Sequence, residues 1–256
     1  MKVRDLLAEI DQIAPFKLAE SWDNVGLMVG DLDAEVRRVG VALDPLPETV
    51  IAAAGAGCQA LLCHHPLFFV PARSLDLARG AGQVVSEAVR CGVAVLAAHT
   101  NWDCAAGGVN SELARLLGLT GILPLDPETG LGVKGSLPGA LSPEELLLRL
   151  KSSWGLSHLD YYAQKNCSIL NVALCGGSGS ELWPLAREWG ADLYVTADMK
   201  YHALMDATRA GLAIAVVDHG QMERASLPAL ARRLGASGRF DVILMESEGL
   251  RAPLRL

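Results

Sequence analysis

The feature that most constrains the fold is an alternation of short apolar segments with segments of helical periodicity. Residues 36–44 (VRRVGVALD) are typical of a buried strand, and residues 47–57, which begin at a proline and end in glycines, are typical of a helix. The next apolar segment, GCQALLCHH at 57–65, is followed by a helical pattern over 82–91. Strand, helix and strand in succession predict a layered α/β protein.

The middle of the chain separates two such halves. Residues 124–142 are rich in proline and glycine, which is typical of turns and short strands. Ser142 is then a predicted N-cap, with Pro143 at the first helical position. A chain of 256 residues suits one large domain or two intertwined ones. We predict two interlinked α/β domains, the first formed by residues 1–123 with 213–256 and the second by residues 124–212.

Composition excludes a membrane protein. Hydrophobic residues make up 51% of the chain and charged residues 20%, which is typical of a globular protein. No apolar run reaches the roughly 18 residues that span a bilayer. The first residues, MKVRDLLAEIDQIAP, interleave acids with leucine and isoleucine, unlike a signal peptide. We therefore expect a cytoplasmic protein without membrane contact.

Net charge and cysteine spacing argue against several kinds of partner and site. A net charge of −7 and a pI near 5.4 argue against a large nucleic-acid-binding surface, which needs clustered lysine and arginine. The six cysteines show no Cys-x-x-Cys spacing, which argues against a disulfide framework and a thiolate zinc site. They are predicted to be buried, reduced thiols.

Five of the six histidines lie at or just after the end of a predicted strand: His64, His65, His99, His202 and His219. A single histidine in that position is more often a hydrogen-bonded structural residue than a metal ligand. Open α/β sheets, however, place their functional sites at the carboxyl ends of strands. Five histidines in one topological position therefore favour a shared site.

The adjacent pair His64 and His65 suggests two metal ions. Successive side chains of a strand point to opposite faces, so neighbouring imidazoles cannot easily chelate one ion while the chain stays extended. Pro66 keeps His65 out of the helical region and the pair extended. Each histidine would then serve a different ion.

Two further stretches offer carboxylate ligands. In HTNWDCAAGG (99–108), Asp103 is a candidate ligand, and His99 is a candidate ligand, orienting group or proton shuttle. His219 and Glu223 are four residues apart and would share one face of a helix starting at a strand end. An ordinary polar pair on an exposed helix is the alternative, and it would be favoured if this pair stood alone.

Together these residues form a set of three imidazoles and two carboxylates: His64, His65, Asp103, His219 and Glu223. With Glu223 as a bridge, each of two ions receives three protein ligands and keeps open positions, as in catalytic rather than structural sites. The mixed nitrogen and oxygen donors admit Zn, Mn, Fe, Co or Ni.

Two turns, one rich in glycine and one polar, each allow two interpretations. CGGSGSEL (175–182) could cradle an anion, but a tight turn explains it equally well. In TADMKYH (196–202), Lys200 is a candidate phosphate contact and His202 a candidate proton shuttle. A plain surface turn is the alternative there.

Six segments together resemble one family, the GTP cyclohydrolase I type 2 homologues, also called the NIF-three-like family. They are SWDNVGLMVG (21–30), HHPLFF (64–69), HTNWDCAAGGVN (99–110), CGGSGSEL (175–182), TADMKYH (196–202) and HGQMERAS (219–226). They follow the family's order over essentially the whole chain, in the short form without a mid-chain insertion. Lys134 stands where an arginine is expected, and Trp102 replaces a more usual leucine beside Asp103.

The resemblance implies a dinuclear metal centre between two interlinked α/β domains, in subunits that form a toroidal homohexamer. Carried onto this sequence, the implied ligands are the same five residues, with Glu223 as the bridge. His99 and His202 fall in matching motifs near the implied pocket.

Two functional hypotheses follow. The first is a hydrolase in which two divalent ions generate and position hydroxide against a nucleotide or a related phosphorylated or ring-amide compound, with His202 or His99 as proton shuttle. The second is a non-enzymatic binding or scaffold protein, a ring stabilised by metal. A DNA clamp is a version of the second that the net charge disfavours.

Overall fold

The structure is a computed structural model that describes residues 1–165 and 167–245. These residues form eleven strands, β1 (Gly26–Val29), β2 (Arg38–Ala42), β3 (Ala60–Cys63), β4 (Ala94–Ala97), β5 (Thr120–Pro124), β6 (Val133–Leu141), β7 (Leu159–Tyr162), β8 (Ile169–Ser178), β9 (Leu193–Ala197), β10 (Ala213–Val217) and β11 (Asp241–Leu244). They also form ten α-helices, α1 (Val3–Ile13), α2 (Pro47–Gly55), α3 (Gly80–Cys91), α4 (Thr100–Cys104), α5 (Val109–Leu117), α6 (Pro143–Trp154), α7 (Trp183–Trp189), α8 (Tyr201–Arg209), α9 (His219–Arg224) and α10 (Leu227–Gly235). The predicted α/β class is confirmed.

The chain divides into two compact units, residues 1–105 with the described residues from 227 onward, and residues 106–226. The first unit contains a five-stranded sheet in the order β1-β4-β3-β2-β11. All its neighbours are parallel except β1, which runs antiparallel to β4. Every residue of β3 and β4 is buried, as expected for parallel strands covered on both faces.

Register aligns the carboxyl ends of the central strands of this sheet. Ala42 of β2 lies beside Cys63 of β3, and Cys63 lies beside Ala97 of β4. Side chains that follow these three strands are therefore brought to one edge.

The second unit contains a six-stranded sheet in the order β5-β6-β8-β9-β10-β7. Strands β8, β9 and β10 are parallel, and the flanking pairs are antiparallel. Helix α6 begins at the predicted cap, where the Ser142 hydroxyl accepts a hydrogen bond from the Glu145 amide and the Glu145 carboxylate accepts one from the Ser142 amide.

The domain boundaries differ from those predicted, 1–123 with 213–256 and 124–212. Residues 213–226 belong to the second unit because β10 pairs with both β9 and β7. Residues 106–123 also belong there, since β5 pairs with β6 and the buried Trp154 indole donates a hydrogen bond to the Leu113 carbonyl in α5 (3.1 Å). The candidate ligands are thus divided, with His64, His65 and Asp103 in the first unit and two in the second.

Two other expectations can be compared with the structure. None of the described helices is both long and apolar enough to cross a membrane. None of the six cysteines forms a disulfide, but burial is less complete than predicted, because Cys91 and Cys104 are half-buried and Cys167 is exposed.

Candidate metal centre

His64 and His65 follow β3 directly, where the chain bends. The His64 amide donates to the Ala42 carbonyl (3.1 Å) and the His65 amide donates to the Leu43 carbonyl (2.9 Å), so the parallel ladder continues past the end of the strand. The two ring centroids lie 5.1 Å apart.

The Nδ1 atom of each of these histidines faces an oxygen that can only accept a hydrogen bond. His64 Nδ1 lies 3.0 Å from the Ala98 carbonyl oxygen, and His65 Nδ1 lies 2.7 Å from Asp44 Oδ1. Nδ1 must therefore carry the proton, which leaves the lone pair on Nε2. Metal-binding histidines are held in the same way, by an oxygen acceptor on the other ring nitrogen.

His99 shows the same arrangement at the end of β4. Its Nδ1 donates to Asp23 Oδ1 (2.9 Å), and Asp23 Oδ2 also accepts from the Thr100 amide (3.0 Å). Burial by itself raises the pKa of Asp23, but the hydrogen bonds from His99 and Thr100 outweigh it and hold the pKa at about 2. Asp23 is therefore a carboxylate at neutral pH.

Three imidazoles of the first unit come together at this sheet edge. One ring nitrogen from each of His64, His65 and His99 lies within 4.8 Å of the others, close enough to share an ion. The buried Asp103 of α4 lies beside them, with Oδ1 at 3.7 Å from His64 Nε2. Trp102, which is fully buried, lies in the same short helix.

In the second unit, α9 begins at His219, as predicted. Asp218 caps the helix by accepting a hydrogen bond from the Gln221 amide (2.8 Å). One turn later, Glu223 Oε1 lies 3.1 Å from His219 Nε2, and Glu223 is only 2% exposed. The pair is therefore largely buried, unlike an ordinary surface ion pair.

His219 is also held by a carboxylate on its other nitrogen. Its Nδ1 donates to Asp198 Oδ2 (2.6 Å), and Asp198 has a positive φ of 49°. Hydrogen bonding to Glu223 raises the pKa of His219, against the effect of burial, and with the charges of Glu223 and Asp198 brings it to about 9. In the absence of metal, a proton occupies the nitrogen between the two side chains.

Gly177, the second-to-last residue of β8, makes room for this pair. A Cβ added at Gly177 would lie 2.4 Å from Glu223 Oε1 and 3.3 Å from His219 Nε2. The backbone there has a φ of +65°, which side-chain-bearing residues rarely adopt. Close approach of the backbone to the candidate ligands therefore explains this glycine of the CGGSGSEL segment.

Two of the residues singled out in the TADMKYH segment, Lys200 and His202, have exposed side chains. His202 is exposed on α8, with its ring centroid 5.3 Å from that of Tyr201, and it joins none of the potential metal-binding groups in the described residues. Lys200 Nζ pairs with Glu181 Oε1 (2.8 Å), and both side chains are exposed.

Sequence reasoning missed the three acids that orient the imidazoles, Asp23, Asp44 and Asp198. A signal existed for two of them, since Asp44 and Asp198 follow the carboxyl ends of β2 and β9, next to strands that end in candidate ligands. Asp23 lies in a loop, where nothing local indicated its role.

The donor chemistry fits divalent ions of the zinc, manganese and iron type. Imidazole nitrogens suit zinc, iron and nickel, and carboxylate oxygens extend the range to manganese. Hydrogen bonds at Nδ1 of His64, His65 and His219 make Nε2 the nitrogen that would bind an ion, in place of the proton it carries on His219. Gly177 places no Cβ against Glu223.

Comparison with known proteins gives consistent matches. The family model described as Duf34/NIF3 (NGG1p interacting factor 3) matches residues 1–250. A GTP cyclohydrolase 1 type 2 homolog of Clostridium perfringens is 33% identical over 258 residues, covering 99% of this chain and 98% of that protein. A protein of the same description from Lactococcus lactis is 38% identical over 83% of each chain.

Solved structures agree in fold. A hypothetical protein of Staphylococcus aureus has a TM-score of 0.90 at 28% identity and covers 99% of both chains. A Bacillus cereus protein related to NIF3 has a TM-score of 0.91 at 21% identity, covering 100% of this chain and 99% of that one. The second supports the fold alone.

Proposed function

Because the chain belongs to the Duf34/NIF3 (NGG1p interacting factor 3) family, we propose that it binds two divalent metal ions and uses them to hydrolyse a small phosphorylated or ring-amide compound such as a nucleotide. The proposed ligands are His64, His65, Asp103, His219 and Glu223.

One observation carries the metal-binding proposal. In each of the three histidines of this set, Nδ1 lies against an oxygen acceptor, so that Nε2 is the nitrogen left to bind a metal ion. The acceptors are the Ala98 carbonyl for His64, Asp44 for His65 and Asp198 for His219. Histidines that serve only as core packing need no such common orientation. Three separate oxygen acceptors that each occupy Nδ1 therefore support a role for these histidines as metal ligands through Nε2.

The number of proposed ligands suits two ions. The first unit offers His64, His65 and Asp103, and the second offers His219 and Glu223. We propose that Glu223 bridges with its two oxygens, which gives three protein ligands to each ion and leaves positions open for substrate. A closed structural site would use four.

The curated relatives' description as GTP cyclohydrolase 1 type 2 homologs supports a hydrolytic reaction on a nucleotide. Divalent ions held by these residues would supply Lewis acidity for hydrolysis. The chain itself supplies His99, whose Nδ1 proton is held by Asp23 so that Nε2 can accept or donate a proton.

Of the other candidates, His202 remains a second possible proton carrier and Lys200 a phosphate contact. Both are exposed, and Lys200 would have to leave Glu181 to meet a phosphate. His99 is therefore the preferred acid–base group.

The experiment is metal analysis joined to a substrate screen. The purified protein is expected to carry two divalent ions per chain, to lose them to a chelator, and to hydrolyse a member of a nucleotide panel only after reloading. Turnover by the chelated protein at the rate of the reloaded protein would refute metal-dependent hydrolysis.

Assembly and location complete the proposal. We place the protein in the cytoplasm as a toroidal homohexamer, as the family resemblance implies. A mass of six chains by light scattering would support the ring. A hexamer that binds two ions per chain but hydrolyses nothing would favour the rival, a metal-stabilised scaffold.

A paired substitution separates metal binding from proton transfer. Asp44→Asn is expected to weaken metal binding about 10- to 100-fold, because a neutral amide no longer fixes the His65 tautomer. Asp23→Asn is expected to keep both ions and to lower turnover on the order of 100-fold, because the amide no longer fixes the tautomer of His99, the proposed acid–base group. Titration with Zn²⁺ and steady-state kinetics measure the two effects. Equal loss of metal in both variants would instead make His99 a ligand.

A further inference from the structure

Two exposed aromatic rings flank His99 in the first unit. The Trp22 ring centroid lies 6.1 Å and the Phe69 ring centroid 5.6 Å from that of His99. Both rings stand nearly perpendicular to the imidazole, at 75° and 79°. Trp22 remains 58% exposed and Phe69 51% exposed, so that both keep open ring surface beside the acid–base group.

The backbone that carries these rings is fixed. Trp22 is followed by Asp23, whose side chain accepts hydrogen bonds from His99 and Thr100. Phe69 is preceded by Phe68, whose carbonyl accepts a hydrogen bond from Asn24 Nδ2 (2.8 Å). The two loops are thus tied to each other and to the end of β4. Rings held in place before a ligand arrives lose little conformational freedom on binding.

Their position suggests a binding role. Single exposed hydrophobic residues need no explanation, but two large aromatic side chains that contact the same imidazole are a different case. Aromatic rings bind planar heterocycles by stacking or edge-to-face contact, and every nucleobase presents such a face. A ring bound there would lie beside His99, next to the imidazoles of His64 and His65.

We propose that Trp22 and Phe69 form the binding site for a planar heteroaromatic ring of the substrate. This inference rests on the proposed function and narrows its substrate class. Among the phosphorylated and ring-amide compounds considered above, it selects those that carry a flat ring, such as a purine nucleotide, over simple sugar phosphates.

The test measures binding rather than turnover. Guanosine, which has the ring but no phosphate, and ribose 5-phosphate, which has the phosphate but no base, are titrated calorimetrically into the purified metal-loaded protein. Guanosine is expected to bind. Trp22→Leu and Phe69→Leu are each expected to weaken guanosine binding about tenfold and to leave ribose 5-phosphate unchanged. Trp22→Phe, which keeps an aromatic face, is expected to restore most of the affinity.

Tyr162→Leu is the matched control, because Tyr162 is 40% exposed on the edge strand β7 and its loss should change neither titration. Guanosine affinities that are the same in wild type, Trp22→Leu and Phe69→Leu would overturn the inference, as would the absence of guanosine binding. Ring-dependent binding without hydrolysis of any compound would leave it standing and remove the hydrolase proposal. If Trp22→Leu and Phe69→Leu bind and hydrolyse the substrate as well as wild type does, the hydrolase proposal would stand and the inference about the two rings would fall.

Discussion

Glu223→Ala is expected to abolish stoichiometric metal binding and turnover together. Glu223 is 2% exposed and lies 3.1 Å from His219 Nε2, and as the proposed bridge it would serve both ions. Its removal takes one ligand from each ion and leaves the His219 nitrogen without its carboxylate. Elemental analysis of the purified variant and kinetics with added metal measure the two losses.

Asp103→Ala is expected to give the same double loss, since this buried carboxylate lies beside His64. Glu181→Ala is the control, because this exposed acid pairs with the exposed Lys200 and should leave metal content unchanged. Normal turnover by a metal-free Asp103 or Glu223 variant would refute the proposed site.

Gly177→Ala is the second change with a large expected effect. The new methyl group would lie 2.4 Å from Glu223 Oε1, closer than real Cβ contacts come, so that either the backbone or the glutamate must shift. We expect metal affinity to fall by at least tenfold, because ligand geometry is disturbed even though no ligand is removed. Calorimetric titration with Zn²⁺ gives the affinity, and thermal unfolding gives the stability.

Gly155→Ala isolates the backbone contribution. Gly155 has a φ of +66°, nearly that of Gly177, but a Cβ there would meet no atom of the described residues within 4 Å. Both substitutions carry the left-handed backbone cost of about 1 kcal/mol. Only Gly177→Ala should also lose metal. Equal metal binding by the two variants would show that Gly177 serves the backbone alone.

Local patterns were sufficient to predict the elements around the site. Pro47 at the start of α2 and Ser142 at the cap of α6 are signals written into a few consecutive residues, and the structure places helices at both. The helix at His219 followed from the strand before it. Such features depend on neighbours in sequence and can be predicted without knowledge of the rest of the chain.

The domain boundaries depend on partners far along the chain, and the structure divides the chain at positions that differ from the prediction. Nothing within AIAVV reveals that β10 pairs with β9 and β7. Likewise, α5 is joined to the second unit through Trp154, 41 residues after the carbonyl it contacts. Strand pairing and helix packing of this kind are settled by the whole fold.

The residues of the candidate site also fall into those that local sequence could indicate and those that it could not. The candidate ligands could be proposed from the sequence because imidazoles and carboxylates that follow strand ends are chemically distinctive. Of the orienting acids, Asp23 could not be, since it reaches His99 across 76 residues. Lys200 and His202 stay predictions, because the polar turn at a strand end that suggested them leaves both side chains exposed in the structure.

Hydrogen bonds at Nδ1 also bear on which metal the candidate site would carry. The imidazoles are aimed by Ala98, Asp44 and Asp198 before any ion arrives, so that metal uptake need not drive folding, in contrast to zinc fingers. Mixed nitrogen and oxygen donors oriented in this way would rank divalent ions by the intrinsic order of their affinities and would impose little geometric choice of their own. The occupant in a cell would accordingly be set by which ion is supplied, and its exchange could change the activity of the protein without any change in its fold.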